Sequence, residues 1–209
     1  MTQQIVIPWR DIDCVYRRKH FDFLVEYYSQ EFDIILGDNE GDFNRSAARN
    51  TGVSESTSEV VVILDADNYV PLQQIHSAIN LATEKDILAK PFTWFGYLTE
   101  DSTDKFYEFY GIIDVEPEFL NPQQQNFTGG VYVMKKSLWQ EIGGMDEGFI
   151  GWGAEDDAFH LHCKNKGIKT EYVEGYDYHL YHPAYRVTSD FNYKKLMKEY
   201  AHGDKSSRK

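Results

Sequence analysis

Val60, Val61, Val62, Ile63 and Leu64 form an unbroken apolar run, and Asp65, Ala66, Asp67 and Asn68 follow it directly. A continuous β-branched run bounded by polar residues reads as a strand buried on both faces, as at the centre of a parallel sheet between two helical layers. In open α/β sheets ligands gather in the crevice outside the carboxyl ends of the strands. Asp65 and Asp67 stand at that end. With a turn opening at Asn68 and Pro71, both carboxylates can converge on one hard divalent cation, which prefers oxygen ligands. The purely structural alternative has Asp65 ending the strand and Asp67 capping the helix that opens at Pro71.

The rest of the first half agrees with that sheet. Gln4 to Ile7 is a short strand closed by Pro8, with Trp9, Arg10 and Asp11 as a polar turn. Phe21, Leu24, Val25 and Tyr28 recur at helical spacing, so the segment from about Tyr16 to Ser29 is an amphipathic helix. Phe32 to Leu36 is the second strand, and a helix starts at Asn44, where Ala47 and Ala48 suit a crowded neighbour. After the central strand, Leu72, Ile75, Ile79 and Ala82 mark a third helix, and Asp86 to Ala89 a fourth strand. Strand and helix in alternation imply a parallel sheet with right-handed crossovers. From Pro91 to Gln125 the sequence is aromatic and acidic and yields no regular pattern. Beyond it, Gly129 to Met134 and Ile168 to Val173 read as strands, and Ser137 to Ile142, Glu155 to Lys166 and Asn192 to Tyr200 as helices.

A chain of 209 residues, 42% hydrophobic, is long enough for one well-buried domain. We expect a single domain over about 1–190, with a first half over about 1–90 and a second over about 91–190, then a helix and basic tail over 191–209. No 18-residue apolar stretch occurs, and Met1 to Ile7 lacks the regions of a secretory signal, so no transmembrane segment and a cytoplasmic location are expected. Cys14 and Cys163 make neither a disulfide framework nor a zinc site. A net charge of −13 disfavours nucleic acid as a partner. An anionic small substrate would need a metal. The exception is the tail from Lys194 to Lys209, whose basic excess is ordinarily just solvated and otherwise points to an anionic acceptor or weak contact with a membrane surface. Aromatics at 15% exceed what a small core needs and suit stacking on sugars or bases.

Two further stretches carry chemistry. In Gly151-Trp152-Gly153-Ala154-Glu155-Asp156-Asp157 three acids open a helix, where they complement its dipole. The dipole does not explain a tryptophan flanked by glycines, which suits a mobile loop with an indole that stacks on a sugar. Beside such a sugar a carboxylate can act as general base, and Asp156 is the candidate. His179 and His182, at the end of a late strand, can complete a carboxylate-led metal site. His20, His76, His160, His162 and His202 fall on helices and read as structural or solvated.

Taken together these motifs resemble a metal-dependent glycosyltransferase of the A-type nucleotide-sugar fold, nearest the β-1,4-galactosyltransferase catalytic domain, the chondroitin polymerases and the polypeptide N-acetylgalactosaminyltransferases. Ile7-Pro8-Trp9-Arg10 resembles the family's first-strand motif, whose proline and arginine border the uridine. Gly37-Asp38 and Phe43-Asn44-Arg45 resemble segments that line the nucleotide and diphosphate. Asp65-Ala66-Asp67 falls on the Asp-x-Asp motif, whose first acid faces the sugar and ribose and whose second binds the metal. Gly129-Gly130-Val131 resembles a strand beside the donor sugar. Gly151 to Asp157 matches the acceptor motif, with Ala154 in place of its third glycine.

The resemblance implies a mostly parallel nucleotide-binding sheet flanked by helices, with an acceptor-side extension. It implies Pro8, Arg10, Asp38, Phe43, Arg45, Asp65 and Asp67 at the nucleotide, and Mn2+ or Mg2+ on Asp67 with His179 or His182. Gly129, Gly130, Trp152 and Asp157 would hold sugar and acceptor, and Asp156 and Glu155 would carry the chemistry. The reaction would move Gal, GalNAc, GlcNAc or Glc from a UDP-sugar to a glycan or other hydroxyl, with inversion. The family's metal-binding methionine has no counterpart here, and Asp177 is the substitute in that region. The animal enzymes carry anchors, stems and disulfides, and we expect here a bare bacterial, phage or viral domain without them. A sugar nucleotidyltransferase should show a glycine-rich first loop with a following lysine, where Pro8-Trp9-Arg10 stand. A non-catalytic carbohydrate-binding module is opposed by clustered carboxylates, which cost stability without a cation.

Overall fold

The computed structural model describes residues 3–11, 14–109, 116–183 and 190–201. Strand β1 (Gln4–Pro8), helix α1 (Val15–Tyr28), β2 (Asp33–Gly37), α2 (Arg45–Glu55) and β3 (Val60–Leu64) open the chain in strict alternation. A short β4 (Asn68–Tyr69), α3 (Leu72–Glu84) and β5 (Ile87–Lys90) follow. The aromatic stretch, which the sequence leaves unplaced, holds β6 (Trp94–Tyr97), α4 (Glu100–Glu108) and β7 (Gln124–Gln125). The remainder consists of β8 (Val131–Lys135), α5 (Lys136–Ile142), α6 (Glu155–Asn165), β9 (Lys169–Tyr172), β10 (Tyr176–His179) and α7 (Asp190–Glu199). Residues Lys205, Arg208 and Lys209 of the basic tail, and His202, lie outside the described residues.

The main sheet has the order β2-β1-β3-β8-β5-β9. Its pairs are parallel except those of β8, which runs antiparallel to both β3 and β5. The alternating first half shows only parallel neighbours, so β8 is the departure. Its cause is topological. After β5 the chain stays at the ligand end of the sheet through the aromatic stretch, so β8 enters from that end and runs back down.

Side chains of β3 alternate between two cores, which is why its sequence is apolar without a break. Val60, Val62 and Leu64 pack with residues of α1 and α3, including Leu24, Tyr28, Ile75 and Ile79. Val61 and Ile63 face the other way, against Val53, Trp139, Ile142 and Phe159 of α2, α5 and α6. All five residues of β3 are buried. A second sheet, β4-β10-β6-β7, stands at the ligand end, with β10 antiparallel to β4 and parallel to β6.

Two glycines set how closely α2 approaches the sheet. A Cβ on Gly37 would lie 2.1 Å from the Ala48 carbonyl oxygen, and one on Gly52 would lie 2.4 Å from Val6. This is the crowded neighbour that Ala47 and Ala48 signal. Because the atom opposing Gly37 is backbone, no rotamer change relieves the overlap. Gly37→Ala is therefore expected to destabilise the chain by roughly 1–3 kcal/mol, as overpacking typically does. Urea unfolding followed by circular dichroism measures it, and an unchanged midpoint would contradict this packing.

Candidate active site

The carboxyl ends of β1 and β3, the turn after β3, strands β6 and β10 and the loop before α6 surround a cavity of about 530 Å³. Its lining includes Pro8, Arg17, Phe43, Arg45, Asp65, Asp67, His179 and His182. Phe95, Phe127, Gly130, Trp152 and Asp156 line it as well.

Asp67, His179 and His182 each bring one ligating atom to within 4.8 Å of the others. The Asp67 carboxylate lies 3.4 Å from His182 Nε2 and 3.8 Å from His179 Nε2. The pairing of β10 with β4 sets His179 opposite Asn68, and so next to Asp67. Each imidazole places Nδ1 at 3.0 Å from a backbone oxygen, His179 on Leu180 and His182 on Pro183. Donation from Nδ1 leaves the Nε2 lone pair aimed at the shared centre, as in metal-binding histidines. Burial acts to raise the Asp67 carboxyl, but His179, His182 and Arg17 outweigh it and hold it well below the usual range. Burial likewise works against charge on His182, and the Asp67 carboxylate overrides it and raises that imidazole. This donor set, one carboxylate and two imidazoles facing a common point, fits a divalent cation.

Asp65 does not join that cluster. It takes a bidentate contact from Arg49 Nη2, at 2.6 and 2.8 Å. Arg49 Nη1 donates to Asp156 at 2.8 Å, so one fully buried guanidinium joins the two acids. Tyr132 also donates to the same Asp156 oxygen, Oδ1, at 2.5 Å. Burial favours protonation of Asp156, but Arg49, Arg45 and Tyr132 prevail and keep its carboxyl below the ordinary value. Asp156 is thus ionised at neutral pH. The expectation that Asp65 and Asp67 converge on one cation is corrected: the guanidinium draws Asp65 away, and the histidines complete the set around Asp67.

Asp177, the substitute for the missing methionine, is also placed elsewhere. It is fully buried and accepts a bond from Asn68 Nδ2 at 2.8 Å. A Cβ on Gly130 would meet its Oδ2 at 2.3 Å, which makes glycine obligatory there. Burial pushes its carboxyl up to about 8. Next to it the buried Lys90 ammonium donates to the carbonyls of Thr128 at 2.9 Å and Gly129 at 2.7 Å. Asn68, Asp177 and Lys90 together form a buried polar seam under the site, tying the Asp67 turn and β10 to the Gly129-Gly130 turn.

A sequence profile described as glycosyl transferase family 2 matches residues 11–142, and one described as the N-terminal domain of galactosyltransferase matches 116–183. The chain belongs to glycosyl transferase family 2. Among curated relatives, mouse β-1,4-galactosyltransferase 7 is 28% identical over 152 residues, covering 69% of this chain and 38% of that protein. The human protein is 27% identical over the same coverage. This family 2 chain therefore spans less than two-fifths of the length of those relatives. Among solved structures, an aspartate-to-asparagine mutant of Drosophila β-1,4-galactosyltransferase 7 in complex with manganese, UDP-Gal and xylobiose matches with a TM-score of 0.60. It is 15% identical, with 96% of this chain and 80% of that one covered. GalNAc-T7 with UDP, GalNAc and Mn2+ matches at 0.55 and 14% identity, covering 93% of this chain and 42% of that one. These likenesses establish the A-type glycosyltransferase fold.

Within this family 2 chain the expected residues gather unevenly. Pro8, Phe43, Arg45, Asp65, Asp67, Gly130, Trp152, Asp156, His179 and His182 all line the cavity. Arg10 and Asp38 do not line it; Arg10 Nε donates to Asp38 at 2.9 Å and its side chain lies over the Phe43 ring at 5.5 Å. Their exposed ion pair stands beside Phe43. Asp157 accepts the Thr128 hydroxyl at 2.7 Å and so holds the turn that carries Gly129. Glu155 is buried behind Asp156 in an ion pair with Arg45. The acceptor loop before them uses left-handed backbone at Gly151, Gly153 and Ala154, with φ of 77°, 102° and 72°. Ala154 stands there at a cost of roughly 1–2 kcal/mol relative to glycine. Sequence reading missed Arg17, Arg49 and Lys90. Arg49 follows Arg45 at one helical turn, so the two point to one side of α2. That spacing was a usable signal; the burial of Lys90 and the approach of Arg17 were not legible. His20 is structural as expected, fully buried, its Nδ1 bonded to Tyr107, and held neutral by burial, which lowers it to about 4.

The position of Glu155 has a pH signature. Burial first, and then repulsion from Asp156, raises its carboxyl from 4.5 to about 7 despite Arg45. Between those values the folded chain holds a proton that the unfolded chain has lost, so this group makes stability fall as pH rises from about 4.5 to 7. Glu155→Gln removes that slope. The variant should match wild type near pH 4.5 and exceed it at pH 8 by up to about 3 kcal/mol. Urea midpoints across that range test it, and parallel curves for the two proteins would contradict it.

Proposed function

We propose that this chain transfers a sugar, galactose foremost among Gal, GalNAc, GlcNAc and Glc, from a UDP-sugar to a hydroxyl group of a glycan or other acceptor. The observation that carries the reading is that a two-histidine, one-carboxylate cluster and an ionised aspartate on a buried arginine open into one cavity. Family membership and the fold support it, as do relatives whose structures hold manganese and UDP-sugars.

The chain's residues divide the work. Pro8 and Phe43 offer apolar walls for a base, and Arg17 and Arg45 place positive charge beside the diphosphate, where charge-assisted bonds are strongest. Arg10 is held by Asp38 and the Gly41 carbonyl, so Arg17 is the nearer cation in the cavity lining. Asp67, His179 and His182 would hold the cation, which when bound neutralises charge on the departing diphosphate as a Lewis acid. Two imidazoles among the ligands favour Mn2+ over Mg2+, which keeps to oxygen. Trp152 stacks on the acceptor sugar. Asp156 then removes the proton of the attacking hydroxyl. Its Oδ1 is occupied by Arg49 and Tyr132, which orients Oδ2 for that transfer. Attack from the acceptor side, opposite the leaving diphosphate, is a single displacement and inverts the anomeric carbon.

Turnover of a panel of UDP-sugars, with and without manganese, tests this reading. One donor should be consumed only with the metal. Asp67→Ala should abolish turnover, and Asp156→Asn should lower transfer by ~100- to 10,000-fold, the usual contribution of a general base. An undiminished rate in the Asp156→Asn variant, or a product of retained configuration by NMR, would overturn the assignment.

A further inference from the structure

Nine large hydrophobic side chains are exposed among the described residues, and five of them, Ile150, Trp152, Phe191, Tyr193 and Met197, belong to α7 and the loop it holds. Helix α7 packs by its inner side, through Leu196 and Tyr200, against the cluster of Phe149, Ala158 and Leu161. The buried Asn192 amide donates to the carbonyls of Ile150 and Gly153, both at 3.0 Å, and its oxygen accepts from the Ile150 amide. These bonds staple the Trp152 loop to the helix. The outer side is the reverse of what a soluble helix shows. Phe191 is 61% and Tyr193 62% exposed, with Met197 at 40%, and Ile150 in the stapled loop is 62% exposed.

Charge completes the pattern. Lys195 is engaged by Asp146 at 2.8 Å and Glu199 at 2.6 Å. Lys194 and Lys198 are exposed on the outer side with the aromatics, alongside Asp190. From Asp190 to Lys209 the sequence carries six basic residues (Lys194, Lys195, Lys198, Lys205, Arg208, Lys209) against three acidic ones (Asp190, Glu199, Asp204). The whole chain has a net charge of −13, so this stretch of sequence stands out by its basic excess. Apolar and aromatic side chains interleaved with lysines on one side of a helix combine the two attractions of an interfacial helix: insertion at the headgroup boundary and attraction to anionic lipid.

We propose that the outer side of α7, with Ile150, docks on the surface of an anionic lipid bilayer. The helix would lie in the interface plane rather than cross it, since no helix among the described residues is long and apolar enough to span a membrane. Docking would set the Trp152 side of the cavity towards the surface, through the Asn192 staple.

Cosedimentation of the full chain with vesicles tests this, and it needs no donor or acceptor. The protein should pellet with phosphatidylcholine vesicles containing about a third phosphatidylglycerol, not with phosphatidylcholine alone, and should be released by added salt. Lys194→Glu with Lys198→Glu should weaken partition by roughly 10-fold or more. Phe191→Ser with Met197→Ser should weaken it at unchanged charge, and unaltered melting temperatures would show that the exposed substitutions leave the fold intact. Equal binding to both vesicle types, or wild-type partition in both double variants, would overturn the proposal. So would absence of vesicle binding together with self-association that either double variant abolishes, which would give this surface to a second copy of the chain.

Discussion

The guanidinium of Arg49 is the interaction on which the site depends. It is fully buried, and it binds Asp65 at the end of the central strand and Asp156 at the start of α6. Those two acids lie 91 positions apart in the sequence, and both line the cavity. Leaving either without the cation would cost about 3–5 kcal/mol, as breaking a buried ion pair typically does. The pair is weak evidence for stability, since well-packed apolar residues would serve as well or better. What it does is position. It takes Asp65 out of the competition for a metal and fixes Asp156, ionised, with one oxygen occupied.

From that clamp the division of labour among the acids follows. Asp67, two residues beyond Asp65, turns to His179 and His182, brought beside it by the pairing of β10 with β4. Glu155 and Asp157, the neighbours of Asp156, are spent on Arg45 and on the Thr128 hydroxyl. Asp65, Asp67, Glu155 and Asp156 thus have different partners, and their carboxyls shift in different directions, Asp65 and Glu155 up and Asp67 and Asp156 down. Burial pushes each of these four up, and the cations and donors beside Asp67 and Asp156 outweigh it.

Much of this was legible in the sequence. The central strand, the helices on either side and the acids at its carboxyl end follow from periodicity and turn chemistry, because each is a local pattern. The structure brings Asp67 together with both His179 and His182, between which the sequence does not choose. The second sheet was not legible, since β4 and β7 are two residues each and β6 is aromatic rather than alternating. The antiparallel entry of β8 was equally hidden, because it depends on where the aromatic stretch leaves the chain. Arg10 and Asp38, expected at the nucleotide, bond to each other beside Phe43. That pairing, between residues 28 apart, is visible only once β1 and β2 lie side by side.

In the proposed reaction Asp67, His179 and His182 would form one divalent-cation site serving a uridine diphosphate. Calorimetric titration of manganese into the full chain, with UDP present, tests it most directly. A single site is expected, with binding weakened at least ~10-fold by His182→Ala or His179→Ala, a loss typical of removing metal-site groups, and abolished by Asp67→Ala. Binding of manganese and UDP at wild-type affinity in all three variants would contradict it.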